Sequence, residues 1–372
     1  MKNTLLIAAL ALAVTPAMAS KSRVNSLQGA AHISDIQDIH TNAAFITQHG
    51  DWLTFEMGQI NNNTKVTDTD PRAEGGFARG MGDAKYGFYL GSVPSWVSSV
   101  RQDAYLKNEN PVSLFYGAKA GDIAWGASLL YSNSDRKTTQ KKQSATGLGL
   151  GAVGPNWDAG LTLGLMNTYK DDTTNATVDF KGKTAIGLNA KYNMDTMTYF
   201  LTADMNGGKE EDGNGTTTTT VHDLDNTAYA LGAENSHKAD GADFFYGAKL
   251  RMTTVNDKAS ANELKTETTD LPVYAGIEAD AASWMVLRAS VTQNFILGSV
   301  KKTGASLGNT AHADEANTIA QNTTVAAGMG LKFNKLIVDG SFSATSQAAT
   351  TNTNGALSGN QFLTNAAVTY MF

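Results

Sequence analysis

The sequence predicts an all-β protein, a transmembrane antiparallel up-and-down β-barrel of about fourteen strands, with roughly twelve to sixteen tolerated. Three observations carry this expectation. Short segments alternate apolar or aromatic residues with Gly, small or polar ones, the period-2 pattern of a strand with two unlike faces. The links between these segments alternate between short and long, as in barrels with tight turns at one end and loops at the other. The last segment alternates through Ala366, Val368, Tyr370 and Phe372.

Taken in order, the chain first shows Lys2, an apolar run over residues 5–14, Pro16, and Ala17-Met18-Ala19, which together predict a signal peptide over residues 1–19, cleaved after Ala19. The run is about half the roughly 20 residues a spanning helix needs. Residues 20–50 are less regular and form a second unit, either a periplasmic tail or constriction segment, or a plug. Residues 51–372 form the barrel. Counting strands back from Phe372 gives about fourteen, the earliest near residues 84–90, where Tyr86, Phe88 and Leu90 share a face. The segment over residues 52–58 makes an odd fifteenth, against the even numbers of single-chain bacterial barrels.

Along the barrel, Trp157, Ala159, Leu161, Leu163 and Leu165 oppose Asp158, Gly160, Thr162 and Gly164. Phe244, Tyr246, Ala248 and Leu250 oppose Gly247, Lys249 and Arg251, and Val325, Ala327, Met329 and Leu331 oppose Thr324, Gly328, Gly330 and Lys332. In the segment Met197, Tyr199, Leu201 and Ala203, Phe200 is the exception on the polar face. A soluble sandwich would alternate in the same way. The membrane reading is favoured by strand length and by Trp157, Tyr192, Trp284 and Phe333 near segment ends, where an interfacial girdle belongs. Short links fall at Ala120-Gly121, 154–156, 193–196, 281–283 and Asn334, and long polar links at 132–144, 170–182, 206–226, 254–269, 299–322 and 345–360.

The ending at Tyr370 and Phe372 resembles the terminal signature of bacterial outer-membrane barrels. That resemblance implies that the last strand is read by the barrel assembly machinery and closes against the first. In organisation the chain resembles outer-membrane porins, which implies passive diffusion of ions and small hydrophilic solutes, contact with outer-membrane lipid and, as porins are often trimers, a homotrimer. In residues 20–50, Leu27, Gly29-Ala30, Asp35 and Asn42-Ala43-Ala44 resemble the start of the long-chain fatty-acid transporter family, where such a segment belongs to an N-terminal plug. Here Ala43 stands where that family has Pro, and Gln28 interrupts the Gly pair.

The chemistry legible in the sequence is that of a lined channel. Lys plus Arg total 29 against 35 Asp plus Glu, a net charge of -6, the wrong sign for a nucleic-acid partner. With no Cys there is no disulfide or thiolate metal site. The six histidines show no metal-ligand spacing and no catalytic constellation stands out, so neither cofactor nor metal nor enzymatic activity is expected. Lys119, Lys191, Lys249, Arg251, Arg288 and Lys332, against Asp204, Glu278 and Asp339, fall on the polar strand faces and are the lumen-lining candidates. Charge toward lipid is costly, by roughly 2–4 kcal/mol for a midplane Arg or Lys, so these should face water. Their basic excess suggests a weak anion preference. The rival expectations are a plugged transporter for hydrophobic molecules and a structural or adhesive barrel that acts through its external loops.

Overall fold

The structure, a computed structural model, describes residues 20–59, 72–98, 110–138, 140–172, 177–213, 218–259, 262–305, 311–318, 323–346 and 365–372. The expected signal peptide and most of the expected link 345–360 lie outside these residues, whereas the described part of the expected link 299–322 is strand. Eighteen strands form one antiparallel sheet. They are β1 (Trp52–Gln59), β2 (Arg72–Met81), β3 (Ala84–Leu90), β4 (Val112–Ala120), β5 (Ile123–Arg136), β6 (Lys141–Val153), β7 (Trp157–Asp171), β8 (Thr177–Gly182) and β9 (Ala185–Met194). The wall continues through β10 (Met197–Gly213), β11 (Thr218–Ala239), β12 (Ala242–Ala259), β13 (Asn262–Ala282), β14 (Met285–Ala305), β15 (Ala311–Thr318), β16 (Thr323–Phe333), β17 (Leu336–Ser346) and β18 (Asn365–Met371).

Strands β8 and β9 both lie between β7 and β10, so they are two pieces of one stave. The pieces β15 and β16 likewise share β14 as partner, and the wall therefore has 16 staves. It closes where β1 pairs with β18 on one side, from Trp52↔Met371 to Met57↔Ala366, and with β2 on the other. The segment near residues 52–58 is thus the first stave. Its neighbour β2 is the stave the sequence pattern leaves out, and adding it restores an even number. Its run Ala73-Glu74-Gly75-Gly76-Phe77-Ala78 has too few large side chains to alternate visibly.

Burial alternates along each stave. On β1, Phe55 is 64% exposed and Glu56 3%; on β12, Tyr246 is 62% exposed and Phe245 2%. Large apolar side chains therefore point away from the barrel while polar and charged ones point in, the inverse of a soluble sandwich and the arrangement of a barrel in lipid. Trp157, Tyr192, Trp284 and Phe333 are all exposed and lie beside tight turns, which places an aromatic belt at that end. Gly82, Gly121, Asp195, Gly241 and Asn334 take positive φ in these turns, the conformation that two-residue hairpins require.

Several expected long links are instead strand. Staves β10 to β14 run 17 to 22 residues, against roughly 9–11 needed to cross a bilayer. Segments such as Thr266 to Thr269 are polar on both faces, so no apolar alternation marks them, yet β-branched Thr suits a strand and the hairpin ladder continues from below. His222, expected in a link, lies on β11 with Nδ1 2.9 Å from Asp257 of β12.

Candidate functional site

Residues 20–50 contain three short helical turns rather than a strand. A helix, α1 (Lys21–Ser26), is followed by a sharp bend where Gln28 and Gly29 take positive φ. Two 3-10 turns come next, Ile36–His40 and Ala43–Thr47. Asp35 caps the first by accepting from the Gln37 backbone N–H, with Asp38 returning the favour to the Asp35 N–H, and Asn42 caps the second by accepting from the Ala44 N–H. Asp35 and Asn42, two of the residues behind the family resemblance, thus hold the local shape of this segment.

The segment lies inside the barrel, because its contacts run round the circumference. Lys21 donates its backbone N–H to Glu56 of β1 at 2.9 Å, and its ammonium pairs with Glu74 of β2. Lys85 of β3 donates to the carbonyls of His49 and Gly50. Asn42 reaches the Ala152 carbonyl of β6 at 3.2 Å, and Asn189 of β9 donates to the Thr41 carbonyl at 2.8 Å. Across the barrel, Glu234 of β11 accepts from the backbone N–H groups of Ala31 and His32, Arg23 grips Glu278 of β13 with two bonds of 2.8 and 2.9 Å, and Ser290 of β14 donates to the Ser26 carbonyl. Two apolar clusters complete the fit. Ile36, Ile39, Ala43, Phe45 and Ile46 pack with Tyr89 and Phe115 of the wall, and Leu27, Ala30 and Ile33 with Phe245 and Tyr274.

Small wall residues make room for this plug. A β-carbon on Gly126 of β5 would stand 2.5 Å from the Ala43 backbone, and one on Gly160 of β7 would stand 2.3 Å from the Thr41 carbonyl oxygen. These glycines permit close approach of two backbones, a role that their place on a small strand face does not reveal.

All nine lumen-lining candidates lie on the inward parity of their staves. Glu278, Arg288 and Asp339 meet in one chain of ion pairs that Arg23 joins, with Arg288 Nε 2.6 Å from Glu278 and Nη1 2.7 Å from Asp339. Arg251 pairs with Asp270, Lys332 with Asp280 at 3.2 Å, and the Lys249 ammonium lies 5.8 Å from the Tyr274 ring centroid. Lys119, Lys191 and Asp204 form no ion pair with any other described residue. Tyr370 and Phe372 face outward, with ring centroids 5.3 Å apart. The candidates from sequence lack the buried bases Arg23 and Lys85 and six buried inward acids, Glu56, Glu74, Asp158, Glu210, Glu234 and Asp270, of which only Asp158 falls on a polar strand face in the sequence pattern. With these counted, the basic excess behind the expected anion preference disappears. Glu56 and Glu74 were out of reach because their staves were unassigned, and Asp270 because it sits in an expected link.

Beside the plug lies a cavity of about 340 Å³. Its floor is Lys21, Gln37, His40 and Thr41 of the plug, and its wall comes from β4 to β7, β9 and β10. Its roof is the segment 92–96, which leads into the short helix α2 (Ser95–Ser98) between β3 and β4. The Trp96 ring is seated where Gly147 of β6 pairs with Gly164 of β7; a β-carbon on either glycine would lie 2.7 to 2.8 Å from it. Apolar side chains from Trp96, Phe115 and Leu130 share this space with Ser128, Thr162, Thr202 and Asp204. His40 packs edge-on against Tyr89 and Phe115, at 4.7 and 5.7 Å, and burial with the nearby Lys21 charge lowers its pKa to about 3. It is therefore a neutral ring at ordinary pH.

The fold defines the class: a closed antiparallel barrel with an apolar outer surface and a folded N-terminal segment in its lumen, the architecture of outer-membrane β-barrels. No family model and no curated protein matches the chain. Among solved structures it is similar to the CymD monoaromatic hydrocarbon channel, at 11% identity over 94% of this chain and 96% of that one, TM-score 0.40. It is similar to the Pseudomonas putida toluene transporter TodX at 10% identity over 93% and 96%, TM-score 0.38. The ferric preacinetobactin receptor BauA of Acinetobacter baumannii matches at 8% identity and TM-score 0.46, covering 80% of this chain and 54% of the receptor, so this chain spans about half its length. At such identities and scores none of them bears on what this barrel carries.

Proposed function

We propose that this protein is a plugged outer-membrane channel that admits small molecules selectively, without a catalytic step, rather than an open diffusion porin. The observation that carries the reading is the placement of residues 20–50 inside the lumen, bonded to staves on opposite sides of the barrel. A tail hanging in the periplasm would bury none of these groups. In this reading residues 1–19 direct export and are removed, and the Tyr370 and Phe372 strand is the assembly signal. The mixed lining of the cavity suits molecules with both an apolar body and a polar group better than the purely hydrophobic cargo expected of a plugged transporter from sequence.

The test is liposome swelling with a small neutral sugar. Proteoliposomes holding the intact barrel should swell at the rate of protein-free liposomes. Swelling as fast as with a general porin would overturn the plugged reading.

A further inference from the structure

The cavity carries one feature that neither the plug nor the wall explains. Asp204, on the inward face of β10, lines it, and no described Lys, Arg or His lies within ion-pair distance of its carboxylate. The other charged group of the lining is Lys21, which is already engaged by Glu74. The wall around Asp204 is cut back to small residues: Gly187 is beside it, where a β-carbon would stand 3.0 Å from the carboxylate, and Thr162 and Thr202 are hydroxyl-bearing neighbours in the lining. The roof helix α2, which holds Trp96, packs against β7 and β10, so the indole is brought to the same side of the lumen as Asp204. A carboxylate in a cavity with an indole, Phe115 and Leu130 is a recognition pattern for positive charge attached to an apolar body.

We propose that this cavity is a binding site for small amphipathic organic cations, with the ammonium group at Asp204 and the hydrocarbon or aromatic body against Trp96, Phe115 and Leu130. The proposal deepens the plugged-channel reading and rests on it for its role as a transport site. Binding itself depends on the cavity alone. An anion of the same shape meets an unpaired carboxylate and is repelled; a neutral molecule keeps the apolar contacts and loses the charge pair.

The experiment is calorimetric titration of the folded, plug-bearing barrel in detergent with 2-phenylethylamine, 2-phenylethanol and phenylacetate. The expected result is saturable binding of the amine, at least tenfold weaker binding of the alcohol and none of the acid. Asp204→Asn should weaken the amine at least tenfold and leave the alcohol unchanged, and Asp204→Glu should restore most of the difference. The heat-dependent gel shift of a folded barrel confirms that each variant has folded. Equal affinity of Asp204→Asn for the amine, or acid binding as tight as amine binding, would overturn the proposal. Amine binding that depends on Asp204 in a barrel that swells freely would instead overturn the plugged reading and leave the site standing.

Discussion

Gly126 shows how a single position can admit the luminal segment against the wall. The absent side chain is what lets the Ala43 backbone lie against β5: the three atoms nearest to a β-carbon built there all belong to Ala43 and Ala44 of the plug. Gly126→Leu is therefore expected to displace the plug while the wall still closes, seen as sugar-dependent liposome swelling from a barrel with a normal gel shift. Arg23 acts by charge rather than shape. Its guanidinium makes two bonds to Glu278, and Arg23→Met removes both while leaving Glu278 paired to Arg288. The expected loss is about 2 kcal/mol of plug docking, the scale of hydrogen bonds to charged groups, read as faster proteolysis of residues 20–50 with the barrel intact.

His40 sets a pH dependence whose sign follows from its lowered pKa. The docked ring takes a proton only near pH 3, the released one at its ordinary value near 6.5. Released segment thus binds more protons between these values, so the His40 contribution to docking is fully present above about 6.5 and is lost as the pH falls toward 3. His49, also lowered by burial, acts in the same sense, and Asp35, pushed upward by burial, acts in the opposite one. His40→Phe keeps the edge-on packing on Tyr89 and Phe115 and should flatten plug release across this window. Identical release profiles for the variant and the parent would contradict the assignment.

At the scale of elements, the plug is a separate folded piece tied to the wall by side chains, with no strand pairing. A disulfide can test this, since the chain has no Cys of its own. β-carbons at Ser26 of α1 and Gly328 of β16 would stand 2.6 Å apart, close enough that a small shift reaches the roughly 3.8 Å of a disulfide. In urea too dilute to unfold the barrel, the parent should open to steady current as the polar ties loosen. The oxidised Ser26→Cys/Gly328→Cys pair should stay closed until reductant is added. The staves themselves were largely legible in the sequence: fourteen fall where alternation puts them, from β3 onward. Alternation reports a stave only where its two faces differ, so Gly-rich β2 escaped, as did the mostly polar far lengths of β10 to β14. The plug was invisible to periodicity, being three short turns that no repeating pattern encodes, and its trace in the sequence was the scattered set Leu27, Gly29-Ala30, Asp35 and Asn42-Ala43-Ala44, of which Asp35 and Asn42 are the caps.

At the scale of the whole molecule, the inward faces carry charges of both signs, and several of them hold the plug. Arg23, Glu278, Arg288 and Asp339 make one network, and Lys21, Glu56 and Glu74 make another on β1 and β2, across the closing seam. In an open pore the same residues would line water and set ion preference. Here they fix a segment whose removal would leave a wide barrel of 16 staves. The most direct measurement is single-channel recording in a planar bilayer, comparing the folded parent with Gly126→Leu at equal insertion. A plugged barrel predicts a silent or rarely flickering parent and large steady steps from the variant. Large steady steps from the parent itself, equal to those of the variant, would contradict it.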